Sequence, residues 1–174
     1  TVLLKAYPPS TRYRGPAMVM LALDPIQHPA AGQLGPIHLV GYDIDRTTVH
    51  PGESVTFRLY WQSDSALGGD YVVFNHLIPL DSLDIVAQVD GPPLGAAKRG
   101  TTSWQDPTET LISQPFTLTI EADISPGTYR LISGFYRRDT FERLSTAEGI
   151  GFLTVTEITV AAPPERTAAT RAIP

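Results

Sequence analysis

Cysteine is absent from the 174 residues of the chain. A disulfide framework, thiolate chemistry and a cysteine-bound metal site are therefore excluded. Lysine and asparagine are also scarce, because Lys5 and Lys98 are the only lysines and Asn75 is the only asparagine. A shortage of amide residues suits a protein kept warm, and a GC-rich genome produces the same bias.

Long apolar runs and concentrated positive charge are missing as well. No stretch approaches the roughly 20 apolar residues that a membrane helix requires, so direct insertion of this fragment into a membrane is not expected. The formal net charge is −5 at pH 7, and the arginines are scattered along the chain. Nucleic acid is therefore not an expected partner. The chain begins at Thr1 without a signal-peptide pattern, which predicts a piece of a longer protein.

The chain does contain many short runs in which apolar and polar residues alternate. In the clearest run, which follows Pro51-Gly52, residues Val55, Phe57, Leu59 and Trp61 share one face of a strand. Alternation of this kind is typical of antiparallel sheets with one buried side. Seven strands are predicted in this way, over residues 37–44, 54–62, 71–78, 85–90, 111–121, 128–137 and 150–160.

These runs predict an all-β fold, an antiparallel two-sheet β-sandwich of about seven to nine strands. Both an immunoglobulin- or fibronectin-like arrangement and a jelly roll fit the pattern. The sandwich domain is expected over residues 36–160, after an N-terminal entry segment, 1–35. Within that segment, residues 1–16 fit a short edge strand, residues 17–23 fit a strand and residues 24–35 fit a loop. Residues 139–148 fit a short helix, although 141–144 fit the return strand of a hairpin equally well. The Pro- and Ala-rich tail, 161–174, is expected to be disordered or a linker.

Two acidic residues form a weak candidate for a calcium site. Asp43 and Asp45 lie two residues apart at the end of a predicted strand, so both carboxylates point to one face. Carboxylates with loop carbonyls are ligands that Ca²⁺ accepts. A strand that ends in a polar turn explains the same residues, and this interpretation is favoured, so no metal or cofactor is expected.

The candidate ligand-binding residues are a mixture of aromatic and polar side chains. Trp104 follows a long loop rich in Gly and Pro, where a sandwich can present a ring to a sugar. Tyr60 and His76 meet on one outer face if their strands pair in register. The full set of predicted contacts is Trp104, Tyr60, His76, Gln88 and Asp90. The simpler alternative, in which Trp104 caps the core and His76 is an ordinary sheet residue, is favoured.

Catalytic patterns are weak throughout the sequence. No Gly-x-Ser-x-Gly elbow and no Gly-x-x-x-x-Gly-Lys phosphate loop occurs. A glycoside hydrolase needs two carboxyl groups about 5–10 Å apart in a cleft. Asp84, Asp90, Asp106 and Glu109 could supply such a pair, but nothing in the sequence selects one.

A succession of short motifs resembles a known family. It resembles the C-terminal extracytoplasmic β-sandwich domain of multi-pass membrane glycosyltransferase-like proteins from filamentous green (Chloroflexus-type) bacteria. The likeness covers roughly residues 36 to 160. The residues that carry it are 39–43, 51–53, 59–61, 71–77, 87–93, Trp104, 126–131 and 134–136.

The resemblance implies a role as well as a fold. It implies a non-catalytic accessory domain on the outer face of the bacterial membrane, periplasmic or on the cell surface, after a membrane part that uses a lipid-linked sugar donor. The family's catalytic carboxylates belong to that membrane part, so none is carried onto this chain. The implied partners are a glycan or the membrane-embedded part of the same protein. A stand-alone carbohydrate-binding module is the alternative, and a carboxylate-dependent glycoside hydrolase is a second one.

Overall fold

Alternating strands build two sheets that pack face to face. The computed structural model describes residues 25–95 and 99–162. In these ranges the chain forms ten strands, a single 3₁₀ turn at Thr101–Ser103 and no α-helix. The strands are β1 His28–Leu34, β2 Ile37–Ile44, β3 Thr48–Val49, β4 Ser54–Ser63, β5 Tyr71–Pro79, β6 Ala87–Gly91, β7 Leu111–Ile112, β8 Phe116–Thr119, β9 Gly127–Arg137 and β10 Leu153–Val160.

Each sheet has five strands. The first sheet has the order β1-β2-β4-β7, with β8 also paired to β4. The second sheet has the order β3-β10-β9-β5-β6. All pairs are antiparallel except β3 with β10, which is parallel. The predicted all-β sandwich is therefore confirmed.

The core lies between the sheets and is filled by large side chains. Trp61 of β4 meets Phe135 of β9 edge-on across the two sheets, with ring centroids 4.9 Å apart. Phe57 and Phe116 pack beside them and are almost fully buried. Each such side chain contributes about 1.5–3 kcal/mol on burial. The sandwich is thus held together by apolar packing between the two inner faces.

Most predicted strands are close to those observed, but the loop predicted at 24–35 was wrong. Residues His28–Leu34 form β1, the edge strand of the first sheet. Pro29 and Gly32 look like strand breakers in the sequence. An edge strand tolerates proline, because one side of its backbone needs no ladder partner. The edge strand predicted within 1–16, the strand predicted at 17–23 and the tail beyond residue 162 lie outside the described residues.

The prediction of one strand over 111–121 was also wrong, because the structure divides it into β7 and β8. Pro115 lies between them and has no N–H to donate. Ser113 holds the break in place. Its Oγ accepts a hydrogen bond from the Leu59 N–H (2.9 Å), and its own N–H donates to the Leu59 carbonyl (2.9 Å).

Residues 139–148 form no helix. Instead the chain turns back after β9, and Arg143 bridges Tyr136 as the second side of a hairpin. The Leu144 N–H donates to the Phe135 carbonyl at 3.0 Å. The hairpin alternative is therefore the correct one for this segment.

We predict that Gly134→Ala destabilises the fold. A Cβ at Gly134 would overlap the Phe74 ring and lie 2.8 Å from the Gly151 carbonyl oxygen. Overpacking of this kind costs about 1–3 kcal/mol. Gly127→Ala, on the same strand, is the matched control, because its Cβ would meet nothing closer than Tyr129 at 3.8 Å. Urea denaturation measures both, and equal midpoints for the two variants would contradict the packing described here.

Candidate functional site

The outer face of the second sheet collects three of the predicted ligand contacts. Pairing of β5 with β6 sets His76 opposite Gln88 and Phe74 opposite Asp90. Because opposite residues of an antiparallel pair lie on the same side of the sheet, all four side chains share this outer face. The structure therefore brings His76, Gln88 and Asp90 together.

A continuous line of rings crosses this face. Phe141 stacks on Tyr136 with centroids 5.9 Å apart, and Tyr136 stacks on Phe74 at 6.4 Å. Phe74 in turn contacts the imidazole of His76 at 4.7 Å. We call Phe141, Tyr136, Phe74 and His76 the aromatic strip. Its inner end is buried, since Phe74 is 0% and His76 is 5% exposed.

The outer end of the strip is open to solvent. Phe141 is 73% exposed although it is a large apolar residue. Its backbone has φ of +59°, the left-handed region that non-glycine residues rarely adopt. The Phe141 N–H donates to the Arg137 carbonyl at 2.9 Å, which holds the turn in this conformation. Strained backbone of this kind clusters at ligand-binding and active sites, which makes the turn at Phe141 a candidate for a binding surface.

Polar groups line both sides of the strip. The Arg143 guanidinium lies 4.4 Å above the Phe74 ring, a cation–π contact. On the other side, Asp90 Oδ1 lies 3.5 Å from His76 Nε2. The buried Asn75 amide donates to the Val89 carbonyl at 3.1 Å, and this bond fixes the strand that carries Gln88 and Asp90.

The surroundings of the Tyr136 hydroxyl raise its pKa. Burial raises the pKa of Tyr136 above its usual value, and the neighbouring Asp90 carboxylate raises this pKa further by its charge and as a hydrogen-bond acceptor. Tyr136 therefore stays neutral well beyond physiological pH. A neutral hydroxyl beside a carboxylate can bind and orient a ligand, but it is not poised to remove a proton.

Trp104 is not a platform for a ligand. Only 1% of its surface is exposed, and its ring meets Phe135 edge-on at 6.1 Å. The prediction that it contacts a ligand was wrong, because its indole is part of the buried core. The favoured alternative, a cap on the core, describes its position.

Tyr60 and His76 do not meet. Tyr60 lies on β4 of the first sheet, whereas His76 lies on β5 of the second sheet. Tyr60 is only 8% exposed, and its hydroxyl donates to Asp43. The prediction of a shared face for these two residues was wrong, since the sequence does not reveal which sheet a strand joins.

The two acids of the calcium candidate hold different partners. Asp43 accepts the Gln27 N–H at 2.8 Å as well as the Tyr60 hydroxyl. Asp45 Oδ1 accepts the Thr56 N–H at 2.9 Å. The calcium interpretation does not fit this arrangement, because each carboxylate satisfies separate protein donors. Among the described residues, no group of three or more His, Asp or Glu side chains is placed to hold a metal ion.

Each of the remaining acids named from the sequence has its own ion-pair or hydrogen-bond partner. Glu109 pairs with Arg99, and Asp84 accepts the Ser82 hydroxyl at 3.1 Å. Asp106 accepts the N–H of Thr108 at 2.9 Å and its hydroxyl at 2.6 Å. Asp90 is therefore the acid of this set that lies at the aromatic strip.

Sequence reasoning missed the exposed end of the strip. Phe141 and Arg143 lie in the segment that fitted a helix or a hairpin equally well. The sequence therefore did not determine where their side chains point. Tyr136 gave a partial signal, because the alternation in β9 places it on the face opposite Phe135. A glycine at 134 opposite Phe74 was the other signal, since it leaves room for a ring on the outer face.

Comparison with known proteins yields likeness of structure only. No protein-family model and no curated protein matches the chain in sequence. Solved structures similar to it include the C-terminal domain of Wzt (13% identity, TM-score 0.46, 75% of each chain). A Niemann-Pick type C2 protein from the Japanese carpenter ant (7% identity, TM-score 0.46) covers 77% of this chain and 98% of its own. AvmM, which catalyses macrocyclization in alchivemycin A biosynthesis, gives 9% identity and a TM-score of 0.35 over 80% and 99%. Identities this low say nothing of a shared ligand.

We predict that Tyr136 ionises above the ordinary tyrosine pKa of 10.0. The folded chain keeps this proton when the unfolded chain has lost it. The resulting stability is fully present below the unfolded pKa and is lost as pH rises through the folded pKa. The ultraviolet difference spectrum between wild type and Tyr136→Phe isolates this transition. Asp90→Asn should move it to lower pH, and a wild-type midpoint at or below the ordinary value would refute the assignment.

Proposed function

We propose that this chain is a non-catalytic accessory domain that binds glycan through the aromatic strip. The observation that carries the proposal is the exposed Phe141 ring stacked on Tyr136 beside the Asp90 carboxylate. A flat apolar ring packs against the C–H face of a sugar, and adjacent carboxylate and amide groups bind its hydroxyls. Phe141 supplies the ring, and Asp90, Gln88 and Arg143 supply the polar rim.

The geometry favours binding over catalysis. Hydrolysis of a glycosidic bond requires a second carboxyl group facing the same bond. Of the acids considered as candidates for such a pair, Asp90 alone lies at the strip, where it accompanies His76 and Tyr136. The neutral Tyr136 hydroxyl and the buried His76 hold Asp90 in place for recognition of a ligand.

The parent protein is proposed on the family resemblance. We infer a domain attached to a membrane-associated glycosyltransferase-like protein, on the extracytoplasmic face of a bacterial membrane. The partner is then a glycan, or the membrane-embedded part of the same protein. In the part of the chain that the structure describes, no helix is long and apolar enough to cross a membrane.

The alternative is a stand-alone carbohydrate-binding module. The open reading frame that encodes the chain distinguishes the two possibilities. Predicted transmembrane helices upstream of Thr1 support the accessory domain. A reading frame without them would leave the stand-alone module and remove the membrane location from the proposal.

We predict that Phe141→Ala weakens glycan binding about tenfold, because one aromatic contact of about 1.4 kcal/mol is lost. The measurement is a glycan array followed by calorimetric titration of the oligosaccharide that binds best. Asp90→Asn should weaken the same interaction.

Leu83→Ala is the matched control, because Leu83 is also apolar and 66% exposed but lies in the loop at the opposite end of β5. Its affinity should equal that of the wild type. Absence of any glycan binding, or equal loss in Leu83→Ala and Phe141→Ala, would remove the strip as a sugar site.

A further inference from the structure

A depression lies on the outer face of the first sheet, away from the aromatic strip. Two β-bulges adjoin each other there, one in β1 between Pro29 and Gly32 and one in β2 between Leu39 and Gly41. A bulge bends its strand and increases the local twist. A shallow, open depression of about 540 Å³ lies over these two bulges.

A row of polar side chains crosses the depression in register. Gln33 of β1 is opposite His38 of β2, and His38 is opposite Gln62 of β4. Neighbouring strands lie about 4.8 Å apart, so the polar side chains of the row follow one another at about this spacing. Small apolar residues of the two bulges, Ala30, Ala31 and Val40, line the depression beside the row.

Each member of the row is held by a hydrogen bond of its own. The Gln33 amide donates to the Gly35 carbonyl at 2.9 Å, and the Gln62 amide donates to the Thr110 hydroxyl at 3.4 Å. His38 Nε2 lies 2.8 Å from Asp64 Oδ2. The Asp64 carboxylate can only accept, so His38 Nε2 is the donor in this bond.

These bonds do not use three polar atoms of the row, which are Oε1 of Gln33, Nδ1 of His38 and Oε1 of Gln62. Each glutamine amide carries two N–H donors and uses one of them here, so the row can both donate hydrogen bonds to a ligand and accept them from it. None of the residues that line the depression is lysine or arginine, and Asp64 adds negative charge beside His38, so an anionic ligand is disfavoured.

We propose that this depression binds an extended, neutral, β-linked oligosaccharide that lies across β1, β2 and β4. Sugar hydroxyls are neutral and both donate and accept hydrogen bonds, and the strand spacing is close to the rise of one ring in an extended β-linked glycan. Consecutive rings can therefore each form a hydrogen bond with one member of the row. The C–H faces of the rings pack against Ala30, Ala31 and Val40. This site stands on different residues from the aromatic strip and does not depend on it.

The test uses the whole chain, labelled with ¹⁵N, titrated with cellohexaose and, separately, with a sulfated hexasaccharide. We expect cellohexaose to shift the side-chain amide signals of Gln33 and Gln62, and the sulfated probe to leave them unchanged. His38→Ala and Gln62→Ala should each weaken binding about two- to tenfold, the effect of one hydrogen bond.

Gln88→Ala and Phe141→Ala are the controls, because both residues belong to the second sheet, and they should bind cellohexaose at the first sheet as the wild type does. Amide spectra of all variants verify that they fold. Unchanged Gln33 and Gln62 signals, shifts confined to Gln88, or equal binding of the sulfated probe would each overturn the proposal. The two proposals can fail separately. If Phe141→Ala loses glycan binding at the aromatic strip but keeps the Gln62 shift, the first-sheet site is independent of the strip.

Discussion

The edge-on contact between Trp61 and Phe135 joins the two sheets, and the rest of the molecule is arranged around it. Phe135 points inward from β9 and also meets Trp104, which closes the core at one end. Because β-strand side chains alternate, its neighbours Gly134 and Tyr136 must point outward. β9 therefore contributes side chains both to the core and to the aromatic strip. A substitution that tilts β9 would disturb both.

Much of this fold is predictable because burial on one face imposes a period of two. The run 54–61 shows this clearly, since a one-residue slip would bring Arg58 into the core in place of Phe57 and Leu59. The same rule fails where alternation is interrupted. Pro29 hides an edge strand, Pro115 divides a run into β7 and β8, and the two-residue β3 is too short to show a period at all.

The candidate site was only partly predictable for a related reason. His76, Gln88 and Asp90 were named from the sequence by residue type, and the structure brings them together because β5 pairs with the next strand, β6. The direction of Trp104 depends on contacts with Phe135, which lies far away in the chain. Phe141 depends on a left-handed turn whose residues carry no glycine signal at that position. Non-local packing decides such positions, and a single sequence does not encode it visibly.

The dense interior bears on where any ligand can bind. Trp61, Trp104, Phe57, Phe116 and Phe135 fill the space between the sheets, and each is at most 2% exposed. A ligand inside would have to displace side chains that contribute about 1.5–3 kcal/mol apiece. We therefore expect a ligand of this domain to bind on an outer face. The two sites proposed there would together hold a polymer at two points, so that its affinity would come from effective concentration rather than from a deep pocket.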